Sequence, residues 1–217
     1  MNSQSVGQLG VVLGRTWPLV AMLIGCATFT AFCRDASGED GRPVVFVTNY
    51  LERGSLATEP RKKQVTDAVR VFASPGEYEP ATFSIRSSVE LKGVRVELAS
   101  DLKGRGGSAI PKAAVEVRLV DPFKEWTKKD IECFLLKKDT VDIAASTTRR
   151  FWVTVHVPDD AKPGVYRSKI VIGKPITELG PDLGRLETLA GLTYEVEVLD
   201  IRLLSAQETG MAFLMFN

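Results

Sequence analysis

Two pairs of glutamates in this 217-residue sequence are spaced so that each pair falls on one face of a β-strand. Glu77 and Glu79 form one pair, and Glu195 and Glu197 form the other. Two neighbouring carboxyl groups can act as acid and base in hydrolysis when their surroundings separate their pKa values. No apolar pocket beside either pair is evident in the sequence. We therefore interpret both pairs as parts of solvated strand faces.

Histidine and cysteine are too scarce here to build a nucleophilic or metal centre. His156 is the only histidine, and Cys133 is the only cysteine beyond residue 40. A catalytic thiol needs a histidine partner, and one cysteine with one histidine cannot build a zinc site. The pair Asp159-Asp160 is flanked by prolines, which is typical of a turn rather than of a calcium loop. We therefore predict no catalytic residue, no metal site and no cofactor in this chain.

Aromatic side chains are the remaining candidates for binding. Trp126 falls in a long connection between predicted strands, where binding residues are often found, and we single it out as a candidate ligand contact. Trp152 and Tyr166 fall within predicted strands, so we expect them in the core or between the sheets. Basic pairs such as Arg149-Arg150 are expected to be solvated.

The elements that must position these residues are short segments in which apolar and polar side chains alternate. Alternation with a period of two indicates a strand with one buried and one wet face. Arg150 to Val157 is the clearest case, and Pro-Gly or Gly-rich turns separate such segments. Eight are predicted: Val44 to Thr48, Ala68 to Ala73, Glu77 to Arg86, Gly93 to Ala99, Ala114 to Val120, Arg150 to Val157, Val165 to Ile172 and Leu192 to Leu199.

No amphipathic pattern long enough for a crossover helix lies between these strands. The sequence therefore predicts an all-β fold: an antiparallel β-sandwich of about eight strands, immunoglobulin-like or jelly-roll-like, over residues 43–204. A parallel nucleotide-binding sheet is excluded because it would need helical crossovers. The net charge of +1, with acidic and basic residues interspersed, argues against a nucleic-acid partner.

Residues 1–33 are typical of an export signal, a signal peptide or a lipoprotein signal. Arg15 precedes an apolar run that begins at Leu19, and Arg34 ends it. A retained membrane anchor and a buried strand or helix are the alternatives. We expect the protein to be exported, either to the cell envelope or as a secreted protein.

The cleavage site has two candidate positions. The segment Leu23 to Cys26 resembles a bacterial lipobox, in which Cys26 would be acylated and would tether the protein to a membrane. Ordinary cleavage near residues 31–33 is the alternative. Contact with a membrane is expected only through that lipid.

The last eight residues, 210–217, are strongly apolar. They are expected either to begin a further domain or to add a last strand to the sandwich.

Two stretches resemble a known family. They are Ser74 to Ile85 (SPGEYEPATFSI) and Arg150 to Tyr166 (RFWVTVHVPDDAKPGVY). These stretches resemble patterns in the N-terminal domain of glycoside hydrolase family 123-like proteins, and the resemblance covers the chain from about Pro43 to Leu204. It implies a β-sandwich that precedes a catalytic barrel, whose Asp-Glu pair works with the N-acetyl group of the substrate. No position of this chain matches that pair.

The resemblance implies an accessory role rather than chemistry in this chain. We expect a non-catalytic domain of an exported carbohydrate-active enzyme that supports or orients a catalytic barrel of the same parent protein. Such a domain should carry an apolar patch near its C-terminal end. The alternative is an independent carbohydrate-binding or protein-interaction module at the cell surface, and a carbohydrate module should carry exposed aromatic side chains on one sheet face or loop end.

Overall fold

A computed structural model describes residues 42–122, 132–178, 181–204 and 208–210, without the side chains of residues 132 and 133. Within those ranges the chain forms twelve strands and three single turns of 3-10 helix. The 3-10 turns are Lys62–Gln64, Arg105–Gly107 and Lys112–Ala114. The strands are β1 (Val44–Val47), β2 (Ala68–Ala73), β3 (Tyr78–Ser87), β4 (Leu91–Leu98), β5 (Leu102–Lys103), β6 (Ala109–Ile110), β7 (Val115–Pro122), β8 (Glu132–Leu136), β9 (Val141–Ile143), β10 (Thr147–His156), β11 (Gly164–Pro175) and β12 (Leu186–Val198).

The all-β prediction is confirmed, and each of the eight predicted segments overlaps a strand. The count was too low by four, because β5, β6, β8 and β9 were not predicted. β5, β6 and β9 have two or three residues each, too few for alternation to be recognised, and the sequence of β8, ECFLL, does not alternate. Within the described residues, no helix has the length and hydropathy needed to span a bilayer.

The strands form two sheets. The five-stranded sheet has the order β1-β3-β10-β7-β8 and is antiparallel throughout. The seven-stranded sheet has the order β2-β12-β11-β4-β9, with β5 paired to β11 and β6 paired to β5. The pairing of β2 with β12 is parallel, with Ala68 opposite Thr193, and it is an exception to the antiparallel prediction.

The core is built by alternate residues of the facing sheets. Phe83 of β3 and Phe151 of β10 are buried, and their rings stack with centroids 5.6 Å apart. From the seven-stranded sheet Ile170 and Tyr194 join the same cluster, and both are fully buried. Burial of each such large side chain contributes about 1.5–3 kcal/mol, which is why alternation specifies the register of every long strand.

The outer face of the five-stranded sheet is partly covered by the segment 49–65. The backbone N–H of Thr148 donates to the Leu56 carbonyl at 2.9 Å, and the Thr148 hydroxyl donates to the Thr58 carbonyl at 2.6 Å. Arg150 Nη1 donates to the Glu52 carbonyl, also at 2.6 Å. Arg150 is therefore 5% exposed, and the expectation that it is solvated is wrong.

The first motif of the family resemblance forms a turn that is locked to the end of β10. Ser74 N–H donates to the Glu77 carboxylate at 2.8 Å. Gly76 N–H donates to the Val157 carbonyl, and Val157 N–H returns a bond to the Glu77 carbonyl, both at 2.9 Å. Gly76 has φ of +82°, and a Cβ atom there would lie 2.6 Å from Asp159 Oδ1. Glycine is required at this position because the backbone is left-handed and the turn packs tightly.

The second motif ends in a tyrosine that holds its own turn. The Tyr166 hydroxyl donates to the Lys162 carbonyl four residues upstream at 2.8 Å. This arrangement resembles the tyrosine corner of immunoglobulin-like sandwiches. Tyr166 is 2% exposed, which confirms that it lies in the core. Both motifs therefore build turns at the same end of the sandwich.

Candidate binding surfaces

A depression lies on the outer face of the five-stranded sheet, and we call it the sheet groove. Side chains of β3, β7 and β10 that alternation turns away from the core line it. Its volume is about 660 Å³. The groove residues with functional side chains are Tyr78, Glu116, Arg118, Leu135, Lys137, Thr154 and His156.

Aromatic rings flank this face in two places. Tyr78 stacks on His156 with ring centroids 4.1 Å apart and an interplanar angle of 9°, because the two residues are opposite one another in the β3–β10 ladder. Four positions back along β10, Trp152 meets Tyr50 edge-on at 5.8 Å. Trp152 was expected in the core or between the sheets, but it lies half-buried on the outer face, and its Nε1 donates to the Thr154 hydroxyl at 3.1 Å.

A small charged cluster forms the other side of the groove. The Glu116 carboxylate accepts a bond from Arg118 Nη2 at 2.7 Å, and Lys137 Nζ lies 3.9 Å from its second oxygen. Glu116 is opposite Thr154 in the β7–β10 ladder. Arg118 Nε is buried and has no hydrogen-bond partner among the described residues. The cluster therefore holds one carboxylate between two cations.

Glu77 and Glu79 are not equivalent solvated carboxylates. The Glu77 carboxylate accepts a hydrogen bond from the Ser74 N–H. Glu79, in contrast, is half-buried near the mouth of the cleft between β1 and β2. Burial raises the pKa of Glu79, and the negative charge of Glu77 raises it further. The two side chains have separate structural environments, and the described residues that line that cleft include no carboxylate besides Glu79.

Glu195 and Glu197 also differ from one another. Glu195 lies on the outer face of the seven-stranded sheet between two arginines, 2.6 Å from Arg167 Nε and 3.6 Å from Arg70 Nε. The three residues are cross-strand neighbours on β2, β12 and β11. Glu197 is exposed. The Glu195 cluster is a cross-strand ion network, which stabilises strand pairing modestly.

Apolar side chains are exposed where the chain leaves β12. The Leu199 N–H donates to the Ala73 carbonyl at 2.9 Å, which fixes the start of this segment beside the end of β2. Beyond it Ile201, Leu203 and Leu204 are each more than half exposed. We call these three residues the exit patch. The sequence predicted exposed apolar side chains in this part of the chain.

The remaining predicted site residues have different outcomes. Trp126 and Cys26 lie outside the described residues, as does the side chain of Cys133. Asp159-Asp160 forms a turn, as predicted. His156 lies on the outward face of β10 against Tyr78. No group of three or more His, Cys, Asp or Glu side chains in the described ranges is placed to hold a metal ion.

Tyr78 and Tyr50 were missed as candidate binding residues. Tyr78 lies inside the first motif, between Glu77 and Glu79. The spacing of these two glutamates made them the candidates in this motif, and the tyrosine between them was not considered. The signal that identifies it is its position opposite His156, which depends on the register of two strands that are far apart in sequence.

Comparison with known proteins identifies the family. The family model described as the glycoside hydrolase 123 N-terminal domain matches residues 55–174, which is more than half of the chain. No curated protein sequence matches.

One solved structure resembles this chain at the level of the fold. A family 123 glycoside hydrolase from Clostridium perfringens, studied for glycolipid glycan hydrolysis, has a TM-score of 0.53 at 18% identity; the match covers 68% of this chain and 25% of that enzyme. The ASH/PapD-like domain 7 of human CEP192 has a TM-score of 0.40 at 9% identity, covering 92% of this chain and all of that domain. The chain thus spans about a quarter of the length of the Clostridium enzyme. It belongs to the glycoside hydrolase 123 N-terminal domain family.

Proposed function

We propose that this chain is a non-catalytic accessory domain that packs against the catalytic barrel of an exported family 123-type glycoside hydrolase. The observation that carries the proposal is the exit patch, which follows directly on the last strand of the sandwich. Apolar side chains exposed together at the end of a domain are typical of an interdomain contact. The anchoring of Leu199 to Ala73 would give a following domain a fixed starting point.

The arrangement of the carboxylates supports a non-catalytic role. Retaining glycosidases hold two carboxyl groups about 5–5.5 Å apart, and inverting enzymes hold them about 6.5–9.5 Å apart, on either side of a bound sugar. Here the Glu77 carboxylate accepts a hydrogen bond from the Ser74 N–H, and Glu195 forms ion pairs with two arginines. Glu116 is likewise held by Arg118. Each of these carboxylates has a hydrogen-bond or ion-pair partner within the domain.

We expect Leu203→Asp to weaken packing against the barrel by about 2 kcal/mol, because burial of one leucine contributes about that much. The measurement is differential scanning calorimetry of the parent polypeptide that carries both domains, in which the barrel transition should move to lower temperature. Leu183→Asp is the matched control, since Leu183 is 54% exposed and Leu203 is 53% exposed, but Leu183 lies between β11 and β12. Equal effects of the two variants would contradict the docking role of the exit patch.

The absence of catalysis can be measured separately, as hydrolysis of a glycoside substrate. The 217-residue chain should not hydrolyse p-nitrophenyl N-acetyl-β-galactosaminide, the substrate class that the family resemblance implies. Turnover that persists through repeated purification would show that the chain holds a complete active site.

We also propose that the protein is exported as a lipoprotein. The support is the apolar run after Arg15 and the lipobox-like segment that ends at Cys26. Mass spectrometry of the mature N-terminus should find an acylated Cys26, and Cys26→Ala should move the protein from the membrane to the soluble fraction. A mature N-terminus near residues 31–33 in the wild-type protein would instead identify ordinary signal cleavage, and an uncleaved chain would refute export with signal removal.

A further inference from the structure

The ring of Tyr78 forms a flat platform at one side of the sheet groove. It is 65% exposed, although it stacks closely on His156. The stack covers one face of the ring and holds its orientation, so that the other face is available to a ligand. A ring that is already held in place loses little conformational freedom when it binds a flat apolar surface, and this lowers the entropic cost of association.

Hydrogen-bonding groups lie beside this platform on the neighbouring strands. The Thr154 hydroxyl accepts from Trp152, so that its own hydrogen remains free to donate. The Glu116 carboxylate has further lone pairs beyond those that Arg118 uses. Lys137 Nζ is 3.9 Å from Glu116, beyond hydrogen-bond distance, and its side chain is largely exposed. Donors and acceptors therefore adjoin an exposed aromatic ring.

Sugar rings match this combination. One face of a pyranose carries C–H groups that pack against an aromatic ring, and its edge carries hydroxyl groups that donate and accept hydrogen bonds. The volume of about 660 Å³ is within the usual range for small-ligand sites. The cluster balances one carboxylate against two cations and leaves one excess positive charge, so no strong field selects an acidic ligand.

We propose that the sheet groove is a binding site for a neutral oligosaccharide, with Tyr78 as the stacking platform and Glu116 as the principal hydroxyl acceptor. The site does not depend on the accessory role, since it lies on a sheet face rather than at the exit patch. A domain with both surfaces would hold glycan-bearing material close to an attached barrel.

Isothermal titration calorimetry of the 217-residue chain tests the site. The probes are a glycolipid-derived trisaccharide that ends in N-acetylgalactosamine, the sialylated form of the same oligosaccharide, and cellotriose. We expect at least one neutral trisaccharide to bind. Tyr78→Ala should weaken that binding about tenfold, which corresponds to the loss of one aromatic contact. Tyr78→Phe should keep the affinity within about twofold, because it retains the ring.

Two further variants keep the test decisive. Glu116→Gln preserves the shape of the groove and should weaken binding by a similar factor of about ten, because a charged hydroxyl acceptor is lost. Phe72→Ala is the matched control, since Phe72 is 66% exposed on the opposite sheet, and it should leave the affinity unchanged. Thermal unfolding of each variant establishes that the sandwich is intact.

Three outcomes would overturn the proposal. One is that neither neutral trisaccharide binds at a ligand concentration of about 10 mM. At that concentration, binding with a free energy of only about −4 kcal/mol, a Kd of about 1 mM, would be detected. Another is binding of the sialylated probe alone, which would indicate an anion site. The third is neutral binding that survives both Tyr78→Ala and Glu116→Gln, which would place the saccharide elsewhere on the chain.

Discussion

Replacing Phe151 with alanine should lower the free energy of unfolding by about 3–5 kcal/mol. Phe151 is 3% exposed, stacks on Phe83 from the adjacent strand β3, and lies at the centre of the five-stranded sheet. Removing its ring deletes buried apolar surface and leaves a cavity that the rigid ladder on both sides cannot close. Urea unfolding followed by intrinsic fluorescence measures the change. An effect of this size is a large fraction of the total stability of a typical domain.

Phe72→Ala is the internal standard for this measurement. It makes the same chemical change at a residue that is 66% exposed, where we expect a difference of no more than about 0.5 kcal/mol. If both variants lose similar stability, then Phe151 does not belong to the core and the assignment of the inner face is wrong. A second arm, Phe151→Leu, should recover part of the loss because it refills much of the volume.

Two buried tyrosines should respond to phenylalanine substitution in opposite directions. The Tyr194 hydroxyl is buried and has no hydrogen-bond partner among the described residues, so Tyr194→Phe should raise the free energy of unfolding by about 1 kcal/mol. The Tyr166 hydroxyl donates to the Lys162 carbonyl, so Tyr166→Phe should lower it by about 1 kcal/mol. Chemical denaturation at pH 7 compares the two. Changes of the same sign would refute the assignment of the hydroxyl environments.

The difference between these variants should widen at alkaline pH. Burial raises the pKa of the Tyr194 hydroxyl above its ordinary value, and the nearby charge of Glu79 raises it further. A raised pKa in the folded state means that the associated stability is present below about pH 10 and is lost as the pH rises, because the unfolded chain ionises first. The unfolding free energy of the wild type should therefore fall more steeply above pH 10 than that of Tyr194→Phe. Tyr166→Phe retains Tyr194, so the alkaline loss of stability that Tyr194 causes should remain in that variant.

The long strands were predictable because their apolar side chains alternate with polar ones in the same order as buried positions alternate with exposed ones. In β10 every second residue from Phe151 onward is buried, so the sequence alone identified both the strand and its inner face. The parallel pairing of β2 with β12 was not predictable, since alternation is the same for either strand direction. The outward residue Phe46 is fully buried, and Val65 of the covering segment forms an isolated antiparallel bridge with it. Local periodicity carries no information about such a covering segment.

The family motifs were recognisable for reasons of architecture rather than of chemistry. Ser74, Gly76 and Glu77 close one turn, and Tyr166 closes another through the Lys162 carbonyl. Such turns tolerate few residue types, so they have a recognisable sequence pattern. The sheet groove has no comparable signature, because Tyr78, Glu116 and Thr154 come from three separate strands and meet only through register.

The parallel ladder between β2 and β12 constrains how the protein is made. Ala68 emerges early from the ribosome, but its neighbour Thr193 is synthesised only after most of the domain. Until then β2 has no neighbour within its own sheet, and Phe72 remains on an unpaired edge. Folding should therefore be completed late in translation and should be slow, as is usual where long-range pairings dominate. A nascent chain stopped before residue 186 would leave β2 unpaired and one edge of β11 open, and both would be exposed to aggregation or proteolysis.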